Sequence, residues 1–482
     1  MQATSRFAPP TPRGAARLAL LALALLAGGC ASLQQAPAAA PADPTPSAWT
    51  GAAVPATTPS DLAAWWSQFG DPQMAPLVQA ALQQQTDITT AQARLRQARA
   101  ARALAGAQLA PTMNASGSAQ ASANEGSPRT QRWSAGLDAG WEADLWGAGA
   151  AGVRAADATL AASALTLAHT RVSVAAEVAL TLLELRGTQA RTAIAERNLA
   201  SQQQTLQIVQ WRHEAGLVTQ LDVAQARTAV EQTRAQLPAL AGSAAQSMHA
   251  LAVLTGQAPG ALQAQLATPV PLPAAPPALA LAIPAEVLRQ RPDVQAAERR
   301  LQAAAARVDE ADAARLPSLS LSGSIGLNAL RLSALGSGAG AASLLAGVNL
   351  PLFDGGRLRA QVQSQEAARD EAAVAWRATV LAALQEVEDA LVGLRAAREQ
   401  LAAQQAAAAS AQTAATLADQ RYRSGLVDFT SVLQSQRTLL SAEDSVAGTS
   451  TALATAHVRL VKALGGGWNP DEPTDTSTNT PR

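Results

Sequence analysis

RYRSGLVDFTSVLQSQRTLL, residues 421–440, decides how this chain folds, because the chain says it twice. RHEAGLVTQLDVAQAR at 212–227 carries the same Arg, the same Gly-Leu-Val, and the same Val and Gln beyond it. Gly425 lies 209 residues after Gly216 (425 − 216), and Gln434 lies 209 after Gln225 (434 − 225). Helix-patterned sequence runs up to each glycine and away from it. A helix reversal needs a residue that tolerates positive φ, and glycine does so without steric cost. Gly216 and Gly425 therefore read as the turning points of two long helical hairpins, with tips over about 212–222 and 421–431.

Working outward, there is no proline from Ala148 to Leu237. Up to Gly216 this predicts one helix of roughly 68 residues, on the order of 100 Å at about 1.5 Å per residue. Such a helix does not belong to an ordinary globular domain. A return helix is expected to about Leu254, with Pro238 kinking or breaking it. Leu160, Leu167, Val174, Val178 and Leu185, with alanines between, form a stripe suited to tight antiparallel packing. The layout then recurs. Asp87-Ile88 with Arg94 and Leu95 matches Asp293-Val294 with Arg300 and Leu301, and Pro111 matches Pro317. A second long helix (about 356–423) and a return helix to about Leu464 complete the second repeat.

Each repeat also holds a pair of segments with period-two patterning, at about 112–124 and 132–145, and at about 318–330 and 342–353. One face is serine, asparagine and acid (Asn114, Ser116, Asp138, Glu142, Ser320, Asn349). The other is alanine, leucine and tryptophan (Trp133, Leu137, Trp141, Leu321, Leu344, Val348). Polar-in, apolar-out alternation over strands long enough to span a tilted bilayer is the signature of an outer-membrane barrel. A soluble sandwich would need a second sheet to cover the apolar face, and four strands leave none. Four strands cannot close a membrane barrel, and open edges are forbidden in lipid. Several copies must therefore contribute strands, in any number from two upward.

Residues 1–29 read as a secretion signal: Arg6, Arg13 and Arg17, an apolar centre at 18–27, then Gly28-Gly29. Cys30 is the single cysteine, so no intrachain disulfide forms. Ala-Gly-Gly-Cys resembles a bacterial lipobox, in which the thiol is acylated; Ala27 departs from the usual Leu, which sits one place early at Leu26. Residues 30–60 form a lipidated Ala/Pro-rich tether, Asp61 is the expected N-cap of the folded part, and 61–265 is the first repeat. A Pro-rich connector (266–283) precedes the second repeat (284–468), and the polar 469–482 reads as a disordered tail. No later segment is expected to cross a membrane as a helix.

The charge balance is 36 basic against 36 acidic residues, which gives no electrostatic case for nucleic acid. His169, His213, His249 and His457 have no metal-ligand spacing, and Lys462, the one lysine, precedes Gly465-Gly466-Gly467 rather than following a phosphate-binding loop. Acid pairs such as Glu386/Glu388 and Glu443/Asp444 read as solvated helix faces. With no nucleophile or acid/base constellation, the chain is read as no enzyme, needing no metal or cofactor beyond the covalent lipid on Cys30.

From about 60 to 468 the chain resembles the TolC-like outer membrane factors, more narrowly the lipoprotein (NodT-type) branch of resistance-nodulation-division efflux systems. The resemblance rests on the two-fold repeat, PLFDGGR at 351–357, RPDVQAAERRL at 291–301 and both tip motifs. It implies a homotrimer with a 12-stranded β-barrel in the outer membrane and a 12-helix α-barrel tunnel through the periplasm. It further implies a passive exit duct for drugs or small solutes, opened by a periplasmic membrane-fusion adaptor and an inner-membrane pump. By position, Arg421 and Tyr422 would tie neighbouring hairpins shut through Asp222, with Asp428 nearby. Gln434 stands where some relatives carry an acid of a constricting carboxylate ring, which puts cation selectivity there in doubt. A type I secretion duct and a coiled-coil surface lipoprotein are the alternative readings.

Overall fold

The computed structural model describes residues 46, 49, 64–123, 125, 129–273, 284–337 and 339–468. The leader, Cys30, nearly all of the tether, Asp61, connector residues 274–283 and the tail lie outside the described residues. Two helices, α1 (Met74–Gln84) and α2 (Thr86–Ala107), lead into strands β1 (Thr112–Ser122) and β2 (Thr130–Ala143). The long helix α3 (Ala148–Glu214) and its return α4 (Gln220–Leu254) follow, then the short helices α5 (Gln263–Leu266) and α6 (Pro284–Gln290). Helix α7 (Pro292–Ala313), strands β3 (Ser318–Ala329) and β4 (Ala339–Asn349), and helices α8 (Arg357–Arg423) and α9 (Phe429–Ala463) complete the second repeat. Helices α3 and α8 each hold 67 residues and α4 and α9 each hold 35. The duplication is thus kept in length as well as in sequence.

The four strands form one antiparallel sheet in the order β1-β2-β3-β4, so the two hairpins join through β2 and β3. Strand β4 stops at Asn349, short of the expected 353, where it pairs with Ser318. Pro351 has no N–H to extend the ladder. Beyond it, Asp354 accepts from the backbone N–H of Gly356 (2.9 Å) and Leu358 (2.8 Å), while Gly355 and Gly356 adopt φ of 65° and 88°. PLFDGGR is therefore a strand-to-helix turn with its own cap.

The main core lies midway along the helices. Trp65, Phe69, Met74, Val78 and Ile88 from the N-terminal segment pack there with Val178, Leu182, Leu183 and Leu185 of α3 and with Leu460 and Val461 of α9. Buried Leu182, Leu183 and Leu185 are wider than a single stripe, and both α1 and α9 pack on α3. Pro238 does not break α4. It sits on an exposed face, so the carbonyl that loses its donor is not sealed in the core. Helix α4 is also long and apolar enough to cross a membrane by length and composition, against the expectation for this region. It instead packs along α3 as the return limb of the first hairpin.

Candidate functional site

The two tips close in the same way. Gly216 donates to His213 O (2.9 Å) and Leu217 to Arg212 O (2.8 Å); Gly425 donates to Tyr422 O (3.0 Å) and Leu426 to Arg421 O (2.9 Å). The glycines take φ of 72° and 74°, with open space around them. Glycine is required there by backbone conformation and not by crowding. Each return helix is then capped: Thr219 and Asp222 form a reciprocal capping box, and Asp428 accepts from Ser431 N (3.0 Å) and Ser431 Oγ (2.6 Å). The Ser431 hydroxyl and backbone hydrogen bonds hold the Asp428 carboxyl below the usual range.

Between the tips lies a small core of Val209, Val223, Ala226, Tyr422, Phe429 and Val432. Arg212, from the first repeat, spans it. Its guanidinium lies 4.4 Å from the centroid of the Tyr422 ring and donates to the carbonyls of Tyr422 (3.1 Å) and Arg423 (3.0 Å) at the end of α8. Sequence reading placed Arg212 in the repeated motif without a role. Its counterpart Arg421 is exposed and has no ion pair among the described residues. Asp222 is engaged by Thr219 and Asp428 by Ser431, so within one chain neither carboxylate meets Arg421 or Tyr422. The Tyr422 hydroxyl is buried without a hydrogen-bond partner among the described residues. Trp211, Leu217, Leu221 and Leu426 project from the tips, 59%, 73%, 65% and 74% exposed. Gln434 is exposed in a groove between α8 and α9, beside Gln404, Arg437 and Ser441.

Further along, the seam between α3 and α9 is polar. Arg191 bonds both oxygens of Asp444 (2.6 and 3.0 Å), and Asn198 donates to Glu443 (3.2 Å). Arg291 reaches Glu386 (2.7 Å). Glu386, Glu443 and Asp444 are therefore paired across helices rather than simply solvated, a distinction that only the register between helices decides.

At the other end, Met113, Leu137, Trp141, Ile325, Leu344 and Val348 share the apolar face of the sheet and are 40–77% exposed. Trp133 and Trp141 bracket that face on β2, roughly 26 Å apart along the strand. Trp141 Nε1 donates to Leu109 O (3.0 Å) and Trp146 Nε1 to Pro317 O (2.6 Å), so both indoles near the helix junction keep their polar edge satisfied. No group of three or more metal-ligating side chains occurs among the described residues.

The family model for outer membrane efflux proteins matches residues 77–257 and 283–466, one match per repeat. The chain belongs to the outer membrane efflux protein family. It is 35% identical to the pyoverdine export outer membrane protein OpmQ of Pseudomonas aeruginosa over 94% of this chain and 97% of that one. It is 32% identical to the antibiotic efflux pump outer membrane protein ArpC of Pseudomonas putida, over 94% and 95%. The solved outer-membrane channel OprN superposes with a TM-score of 0.82 at 35% identity, over 89% of this chain and 99% of that one. This efflux protein is thus an outer membrane channel, with its sheet as the membrane part and its helices as the periplasmic part.

Proposed function

We propose that three copies of this efflux protein close a 12-stranded barrel and a 12-helix tunnel that conduct drugs or other small solutes out of the cell. The single observation that carries this reading is the four-stranded sheet with two free edges and an exposed apolar face. In lipid, unpaired strand edges must be paired, and neighbouring copies supply the partners. The hairpin tips are the entrance: Arg212, Arg421, Tyr422, Asp222 and Asp428 hold it closed, Gly216 and Gly425 shape it, and Gln434 lines it without charge. The exposed Trp211, Leu217, Leu221 and Leu426 are the docking surface for a periplasmic adaptor, which couples the duct to an inner-membrane pump. Cys30 carries the lipid that adds a second anchor in the outer membrane. Purified protein in detergent is expected to run as a heat-resistant trimer and to give single-channel currents in planar bilayers; a soluble, non-conducting monomer would overturn the proposal.

A further inference from the structure

We infer that Leu345 forms an apolar collar inside the barrel and, with Asp138 and Glu142 on the rows either side, gives amphipathic organic cations a resting station in the duct. The inference rests on the trimeric barrel proposed above.

Leu345 breaks the alternation of its strand. It pairs directly with Ser322, Ser322 pairs with Gly140, and Gly140 pairs with Thr112. Directly paired residues share a face, so Leu345 stands in a polar row on the lumenal side. Pairing runs unbroken from Ser318↔Asn349 to Asn328↔Ala339, so no bulge turns it toward lipid. Its neighbour Leu344 already serves the lipid face. Leu345 is 65% exposed, and the small side chains of its row cannot cover it.

The flanking rows carry charge. Toward the strand turns, Asn114, Asp138, Ser324 and Ser343 lie side by side; toward the helices, Glu142 lies with Ser320 and Gly347. Ser116 Oγ donates to one oxygen of Asp138 (2.9 Å), which leaves the other free to accept. Arg132, of opposite sign on the same face, sits three rows further toward the turns. Asp138 and Glu142 are two strands from Leu345, roughly 10 Å across the sheet before the offset along it. Three copies repeat the arrangement at one height. A solute with an apolar body and a positive end can touch leucine and carboxylate together, whereas a small inorganic cation gains nothing from the leucine.

The test is block of potassium current through wild-type channels in planar bilayers. Hexyltrimethylammonium is compared with tetramethylammonium, which has the same charged end and little apolar surface. Block is expected only with the larger cation. Leu345→Asn should raise its half-blocking concentration roughly three- to tenfold, and the Asp138→Asn, Glu142→Gln double variant should raise it as well. Equal block of Leu345→Asn and wild-type channels would overturn the inference. So would loss of heat-resistant trimers in Leu345→Asn, which would make Leu345 a staple between subunits at the free β4 edge. A wild-type chain that passes no current would instead sink the trimeric duct, and the collar with it.

Discussion

Arg212 lies over the face of Tyr422, with its guanidinium carbon 4.4 Å from the ring centroid, and donates to the carbonyls of Tyr422 and Arg423. One side chain from the first repeat thus caps the end of the long helix of the second. A cation at a helix C-terminus is favoured by the dipole and by the orphan carbonyls, and the ring adds cation–π attraction.

Arg212→Ala should therefore loosen the tip by about 1–2 kcal/mol, roughly a tenfold shift toward opening. The expected readout is more frequent or larger single-channel openings of the isolated protein. Arg212→Lys should recover only part, because an ammonium cannot lie flat on the ring and reach two carbonyls at once. Tyr422→Phe keeps the ring on which Arg212 lies, so a gain in opening in that variant would trace to the hydroxyl and not to the cation–π contact. Wild-type gating in Arg212→Ala would show that this contact does not hold the tip.

A buried ion pair fixes the N-terminal segment to α3. Arg186 Nε donates to Asp71 (2.9 Å) with side chains 1% and 0% exposed, and Arg186 Nη1 donates to Gln189 Oε1 (2.9 Å). Gln189 in turn donates to Leu266 O (2.8 Å), so the N-terminal segment and the start of the connector hang on the same point of α3. Asp71→Ala leaves a buried guanidinium unpaired and should cost about 3–5 kcal/mol. Thermal unfolding and protease cleavage near residues 64–73 and 263–268 would register the loss, and an unchanged Tm would contradict it.

Acid sensitivity should arise at His457. Its ring is 1% exposed, stacks edge-on against Phe69 at 5.7 Å, and has Nδ1 without a partner among the described residues. Burial, with a smaller contribution from Arg398, pushes its pKa down to about 4. The unfolded chain protonates this histidine near its usual value and the folded chain does not, so stability is lost as pH falls through that window, by up to about 3 kcal/mol. Met248 is the repeat counterpart, 209 residues earlier (457 − 248). His457→Met should remove that part of the fall in Tm between pH 7 and pH 4.5. An identical fall in both proteins would place the acid sensitivity elsewhere.

Helices α3 and α9 approach closely at Gly187, where an added Cβ would collide with Oγ1 and Cγ2 of Thr451. Gly187→Ala should destabilise by about 1–3 kcal/mol through overpacking. Thr451→Ala clears the two colliding atoms and leaves Cβ at 3.1 Å, so the double variant should recover part of the loss. Strict additivity of the two changes would show that the contact is not the cause.

Much of this architecture is written locally. The two Gly-Leu-Val tips set the reversals because a Schellman turn depends on a few consecutive residues. Period-two alternation marked the strands because each side chain's face follows from its neighbours along one strand. The charged pairs were not legible in this way. Glu443 and Asp444 look solvated on a helical wheel, yet they meet Asn198 and Arg191 across some 250 residues of chain.

The sequence by itself thus determined the hairpin tips, the long helices and the membrane-facing strands, all of which depend on spacings of two to four residues. Only the tertiary structure decided that β2 pairs with β3, that Pro238 stays within an unbroken helix, and that Arg212 rather than Arg421 spans the two tips of one chain. Those outcomes depend on which faces of distant segments meet. That choice is made by packing along the full length of the helices, where no local pattern reaches.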